Sequence, residues 1–290
     1  MIYPFLFRMI KSTKTKTFSI KLFHNLCQAI PKGAVWHPPF YRGFSGNTIK
    51  WIAIITMLLD HIAASVLLAY RYKIGYFTPS LLTVYEVLRD IGRVAFPLYV
   101  FLLIEGLQHT RNPRNYFFRL CFLALLSEIP FDLALHRLPW YPAKQNVCWT
   151  LAIGFFVIWG VDSMRQELHR LQKKSAGSAI SPYIYLILLD AGLIGAGAIG
   201  AKLLNTDYSY IGVLAIVIAY VFRNYPLPQA LATCLIMRIS SEREWYALLA
   251  MIPMLYYNGK RGRQPRYFFY LFYPVHLLVL YLIIRTAGFV

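Results

Sequence analysis

Acidic charge is what this sequence has least of. Asp and Glu number 12 among 290 residues against 30 Lys and Arg, and charged residues of all types reach only 14%. A soluble domain carries about a quarter charged residues, so this shortage excludes an ordinary water-soluble fold. Cysteine is scarce too. Cys27, Cys121, Cys148 and Cys234 are scattered without C-x-x-C spacing, which argues against a disulfide framework and against a thiolate metal site. Three of them lie in apolar runs, where cysteine acts as a small buried residue. The N-terminus lacks the pattern of a secretory leader: its short apolar start precedes the positive charges, and no A-x-A-like site follows. A phosphate loop is missing as well, because the glycine-rich run ends Gly200-Ala201-Lys202 rather than in G-K-[ST].

What is present is apolar sequence in long runs. Hydrophobic residues make up 58% of the chain and mean hydropathy is +0.49. Crossing a bilayer takes about 20 such residues. The pattern predicts an all-α, polytopic membrane bundle of about nine spans, at 50–70, 88–108, 116–136, 147–163, 183–203, 208–222, 226–238, 244–257 and 267–287. The seventh and eighth are short enough to be half-helices. The net charge of +18 sits in the gaps between runs. It therefore reads as topology signal and attraction to anionic lipid head groups rather than as a nucleic-acid surface. With the N-terminus cytoplasmic, about twenty basic residues fall on the inner side against about nine on the outer, as the positive-inside rule requires. Residues 1–46 form a separate basic segment suited to the membrane interface. Pro97, Pro130 and Pro274 fall within spans and should kink them or free a carbonyl. In "AGLIGAGAIGA", Gly192, Ala196 and Gly200 share a small-residue face that would let another helix approach closely.

The ionisable residues left inside the spans carry the functional question, because each is costly in hydrocarbon. "IKWIAIITMLLDHIAASVLLAY" holds Lys50, Asp60 and His61. Lys50 and His61 are about 1,100° apart on a helix, three turns plus about 20°, so they share a face with about 16 Å of rise between them. A cation at the mouth above an imidazole suits a phosphorylated donor and a general base. Equally, Lys50 could anchor topology and His61 could be a satisfied bundle histidine. Asp60 points about 100° away from its neighbour His61 and needs a cation from another helix, Arg93 first. Glu128 and Asp132 stand at i,i+4 around Pro130, where two acids repel unless a cation or shared proton intervenes. They fit either proton handling or a helix-end role. Glu105 and His109 stand at i,i+4 near Arg111, Arg114 and Arg119, which could grip phosphates or simply mark the inner side. His276, one turn after Tyr273 in "YFFYLFYPVHLLVLYL", lies at a depth similar to His61 and should face the same interior.

Taken together, the blocks "IKWIAIITMLLDHIA", "IGRVAFPLYVFLLIEGLQHTRN", "YFFRL", "LSEIPFDLA", "QNVCWTLAIG" and "FYPVHLLVL" resemble the TraX family of conjugal-transfer membrane proteins, a family associated with N-terminal acetylation of pilin. The resemblance covers about residues 48 to 282, so 47–290 is the TraX-like membrane domain. More distantly the chain is similar to the transmembrane acyltransferase-3 superfamily, in which a basic residue, ten intervening residues and a histidine mark the first core helix; Lys50 and His61 match that spacing. The chain departs from that superfamily in having nine apparent spans rather than ten.

The resemblance implies an acetyltransferase of the cell (inner) membrane. Its donor would be acetyl-CoA, entering from the cytoplasm between Lys50 and the basic loops, with no metal required. Its acceptor would be an amine or hydroxyl of a pilin-like protein or a glycan. His61 would be the base, with Asp60 and Arg93 framing it, and Arg93 or an amide such as Asn146 would stabilise developing charge. A proton-coupled transporter would use the same acids and histidines as a relay, although no inverted repeat is visible. A non-enzymatic assembly factor is the third reading.

Overall fold

The computed structural model describes residues 43–174, 181–263 and 267–289. The basic segment read at 1–46 lies almost wholly outside the described residues. Within them the chain is helical, and only two isolated bridges, Phe44 with Tyr257 and Gln145 with Thr206, have β character. The helices are α1 (Gly46–Ile74), α2 (Pro79–Gly92), α3 (Ala95–His109), α4 (Pro113–Phe131), α5 (Val147–Lys174), α6 (Ser181–Leu203), α7 (Ser209–Val221), α8 (Pro226–Met237), α9 (Met251–Leu255) and α10 (Phe268–Thr286). Several start on sequence signals. Ser45 accepts from the Thr48 amide, Thr78 caps ahead of Pro79, and Asn112 caps ahead of Pro113. Such caps satisfy amides that the first turn leaves unpaired.

Four helices are long and apolar enough to cross a membrane: Gly46–Ile74, Val147–Glu167, Leu186–Leu203 and Phe268–Thr286. Two shorter apolar helices, Ser209–Val221 and Pro226–Met237, accompany them. The outside of the bundle is apolar as well. Phe118, Phe122, Leu125 and Ile129 form an exposed stripe on α4, as a lipid-facing surface requires and a water-facing one avoids.

Two expected spans take a different form. The run at 88–108 is not one helix: it breaks at Arg93 and Val94 between α2 and α3. Pro97 explains the break, since its ring clashes with the carbonyl four residues earlier, that of Arg93, and it has no amide to donate. The run at 244–257 is a 3-10 segment, Glu242–Ala250, followed by the short α9. Its nine and five residues rise about 2.0 and 1.5 Å each, about 25 Å in all, so a tighter winding reaches further than an α-helix of equal length. The small-residue face of α6 also differs from expectation. A β-carbon on Gly192 or Gly200 would meet nothing among the described residues, while Gly197 packs on Val157. The face turns outward because α6 lies at the edge of the bundle.

Two π-helical turns flank the last helix. Ile62–Leu67 interrupts α1 directly after His61, and Asp132–His136 extends α4. The first coincides with the Ser65 hydroxyl taking the His61 carbonyl at 2.5 Å, the acceptor that the regular helical amide would use. The second follows Pro130, which removes one amide from the ladder. Both turns pack against α10. Pro274 is accommodated inside α10 without breaking it.

Candidate functional site

The residues that hydrocarbon should force together do meet. Asp60 on α1 accepts from Arg93 at 2.7 Å and from Arg89 at 2.7 Å. Arg93 also donates to Glu244 of the 3-10 segment at 3.0 Å and, through Nε, to the Arg89 carbonyl at 3.1 Å. The result is a chain of alternating charges, Arg89–Asp60–Arg93–Glu244, joining three elements deep in an apolar bundle. The break at Arg93 matters here: the helix ends where its side chain must reach both acids. Gly92 is equally necessary, because a β-carbon there would overlap Asp60. Glu244 is 2% exposed, and its Oε2 has no partner among the described residues.

Beside this cluster His61 meets His276. Nδ1 of His61 lies 2.7 Å from Nε2 of His276, and the ring planes are parallel with centroids 5.0 Å apart. Nδ1 of His276 lies 2.8 Å from the Phe272 carbonyl. The Tyr273 ring stands edge-on to His61 at 6.1 Å. The matching depth on the first and last helices thus becomes a direct contact.

A cavity of about 590 Å³ reaches both groups, with Asp60, His61, Arg89, Arg93 and Glu244 on its inner wall. Tyr85, Phe96, Tyr99, Phe131 and Tyr208 give it aromatic sides, and His136, Lys144, Asp207, Ser240 and Ser241 stand towards its mouth. Lys144 pairs with Asp207 at 2.8 Å across two connecting loops there. A mostly apolar hollow with a few convergent polar groups is the usual form of a small-molecule or chain-end site. Among the described residues, no three His, Cys, Asp or Glu side chains gather as metal ligands.

Other expected site residues stand elsewhere. Lys50 does not line this cavity; it lies over the Phe269 ring at 5.3 Å, towards the opposite end of α1, where Gly46 and Asn47 bond the backbone of Lys260 and Arg261. Glu105 accepts from Tyr257 at that same end. Arg111, Arg114 and Arg119 are exposed there, with Arg114 over Phe118 and Arg119 over Tyr116. Glu128 and Asp132 do not share a proton: Trp149 and Asn146 donate to Glu128, and the Tyr141 amide donates to Asp132 at 2.7 Å. Asn146 is no candidate for stabilising a developing charge. It is fully buried, its amide nitrogen serves Ala124 and Glu128, and its oxygen caps α5 through the Cys148 amide.

The site also holds residues that spacing did not single out. Arg89 stands one turn before Arg93, so an i,i+4 pair of arginines was its available signal. Glu244 had only the oddity of an acid inside an apolar run. Tyr99, Tyr208, Lys144 and Asp207 had none.

With this geometry in view, the comparisons with known proteins are decisive about kinship. A family model described as TraX protein matches residues 45–284. The chain belongs to the TraX family. A curated relative, the probable fimbrial assembly protein FimC, serogroup H1, of Dichelobacter nodosus, is 27% identical over 263 residues, spanning 82% of this chain and 94% of the relative. No solved structure matches. The TraX match begins at the cap of α1 and ends within α10, so it takes in every residue of the cavity and both histidines.

Proposed function

We propose that this TraX-family protein is a multi-pass acyltransferase of the cell membrane that works in the building of pili or related surface structures. The FimC relative's name supports the setting. The observation that carries the chemistry is an imidazole, His61, on the inner wall of a polar-aromatic cavity inside an apolar bundle, beside the charge chain that Asp60 anchors. A group so placed is suited to proton transfer in a site shielded from bulk water.

In the proposed step His61 takes the proton of an acceptor amine or hydroxyl held in the cavity. The acceptor nitrogen or oxygen forms a bond to the thioester carbonyl carbon of acetyl-CoA, the carbon–sulfur bond breaks, and the thiolate recovers the proton from His61. Arg89, with donors beyond those given to Asp60, is the cation nearest to serve the developing oxyanion; Arg93 is committed to two acids. The basic end of α1, with Lys50 and the neighbouring Arg261, suits the donor's phosphates, about 16 Å of helix from His61. Donor and acceptor would then approach from opposite ends. Mass spectrometry of cell-envelope proteins and glycans tests the reading. An acetylated species lost without the gene and restored by the native chain, but not by His61→Gln, supports it; restoration by His61→Gln rejects it.

A further inference from the structure

We infer that His276 is a positioning residue that fixes the tautomer of His61 and leaves its Nε2 as a bare lone pair for the acceptor. This deepens the acyltransferase reading and rests on it only for its consequence in catalysis. The argument begins at a carbonyl. Phe272 O can only accept, so the ring nitrogen 2.8 Å from it, Nδ1 of His276, must carry the hydrogen. A neutral imidazole holds one N–H, so Nε2 of His276 is then an acceptor. Its partner at 2.7 Å is Nδ1 of His61, which must therefore be the donor. With its single hydrogen on Nδ1, neutral His61 keeps Nε2 unprotonated. That nitrogen makes no hydrogen bond among the described residues.

The local fold maintains this chain of bonds. Phe272 and His276 are one turn apart on α10, and their rings stack at 4.9 Å, so the carbonyl and the ring that reads it belong to one rigid element. Parallel planes carry the orientation on to His61. A base whose proton sits on the wrong nitrogen cannot accept from the substrate, and a second group bonded to the far nitrogen is the general remedy.

Nitrogen-15 NMR of the full chain, labelled at histidine and held in lipid vesicles, reads the tautomers directly, with His61→Gln and His276→Gln assigning the signals. The expected native result is hydrogen on Nδ1 and a bare Nε2 at both positions. In His276→Leu, His61 should shift its hydrogen to Nε2, and acetyl transfer should fall by about 10²- to 10⁴-fold in kcat with the acetyl-CoA KM little changed. His276→Gln, whose side-chain oxygen can still accept from His61, should keep the Nδ1 hydrogen and a larger share of turnover. Hydrogen on Nε2 of His61 in the native protein overturns the inference without any variant having to fold; so does a His61 tautomer indifferent to His276→Leu. Native tautomers as stated, with no acyl transfer, support the positioning role and overturn the reaction instead.

Discussion

Asp60 and Gly92 are packed so closely that no β-carbon fits between them. The contact lets Arg93, the next residue, place its guanidinium 2.7 Å from the Asp60 carboxylate. Gly92→Ala should therefore push α2 off α1 and cost on the order of 1–3 kcal/mol, as overpacking in a full interior does. Thermal unfolding in detergent should show the lowered midpoint, and acyl transfer should fall with it. A variant as stable and active as the native chain would mean that the two helices have slack.

Arg93 and Arg89 both bind Asp60, but they should not be equivalent. Arg93 also holds Glu244 and is 13% exposed, whereas Arg89 is 26% exposed and holds Asp60 alone among acids. Removing Arg93 leaves two buried carboxylates without their shared cation, a loss of about 3–5 kcal/mol for such pairs. Arg93→Ala should then reduce the yield of folded protein far more than Arg89→Ala. Arg89→Ala should chiefly lower kcat. Equal losses of folded protein in parallel purifications would contradict this division.

Much of the bundle was legible because hydrocarbon imposes a crude rule on sequence: apolar runs of sufficient length become helices. The same averaging hides what departs from a plain helix. Pro97 signalled a disturbance, yet that it parts α2 from α3 at Arg93 depends on both acids waiting there. Residues 242–250 read as half of a span because periodicity does not separate 3-10 winding from α. For the site, depth alone aligned His61 with His276 and charge alone matched Asp60 with Arg93. Glu244 stayed hidden because it meets Arg93 across 151 residues of chain, and Asn146 looked catalytic because sequence does not reveal a saturated amide.

Asn146 should behave as a structural residue. Asn146→Ala removes the α5 cap, about 0.5–2 kcal/mol, and leaves Glu128 short of a buried donor, about 1–3 kcal/mol more. The fraction that folds should turn over at nearly the native rate. A stable Asn146→Ala protein with a large drop in kcat would restore this residue to the chemistry; calorimetry and turnover measured on one preparation decide the matter.

Lys50 lies towards the end of α1 away from the cavity, so its effect should be confined to the donor. Lys50→Gln should raise the acetyl-CoA KM by about ten- to a hundredfold, the equivalent of one charge-assisted hydrogen bond, with kcat altered less. If it only anchors topology, titration of acetyl-CoA will show no change.

The most direct measurement is single-turnover acetyl transfer by purified protein with saturating acetyl-CoA, comparing the native chain with His61→Gln at equal folded concentration. The native protein should transfer, and His61→Gln should be slower by about two to four orders of magnitude, the contribution of a lost general base, while donor binding is retained. Equal rates in the two proteins would contradict a catalytic His61 on the cavity wall.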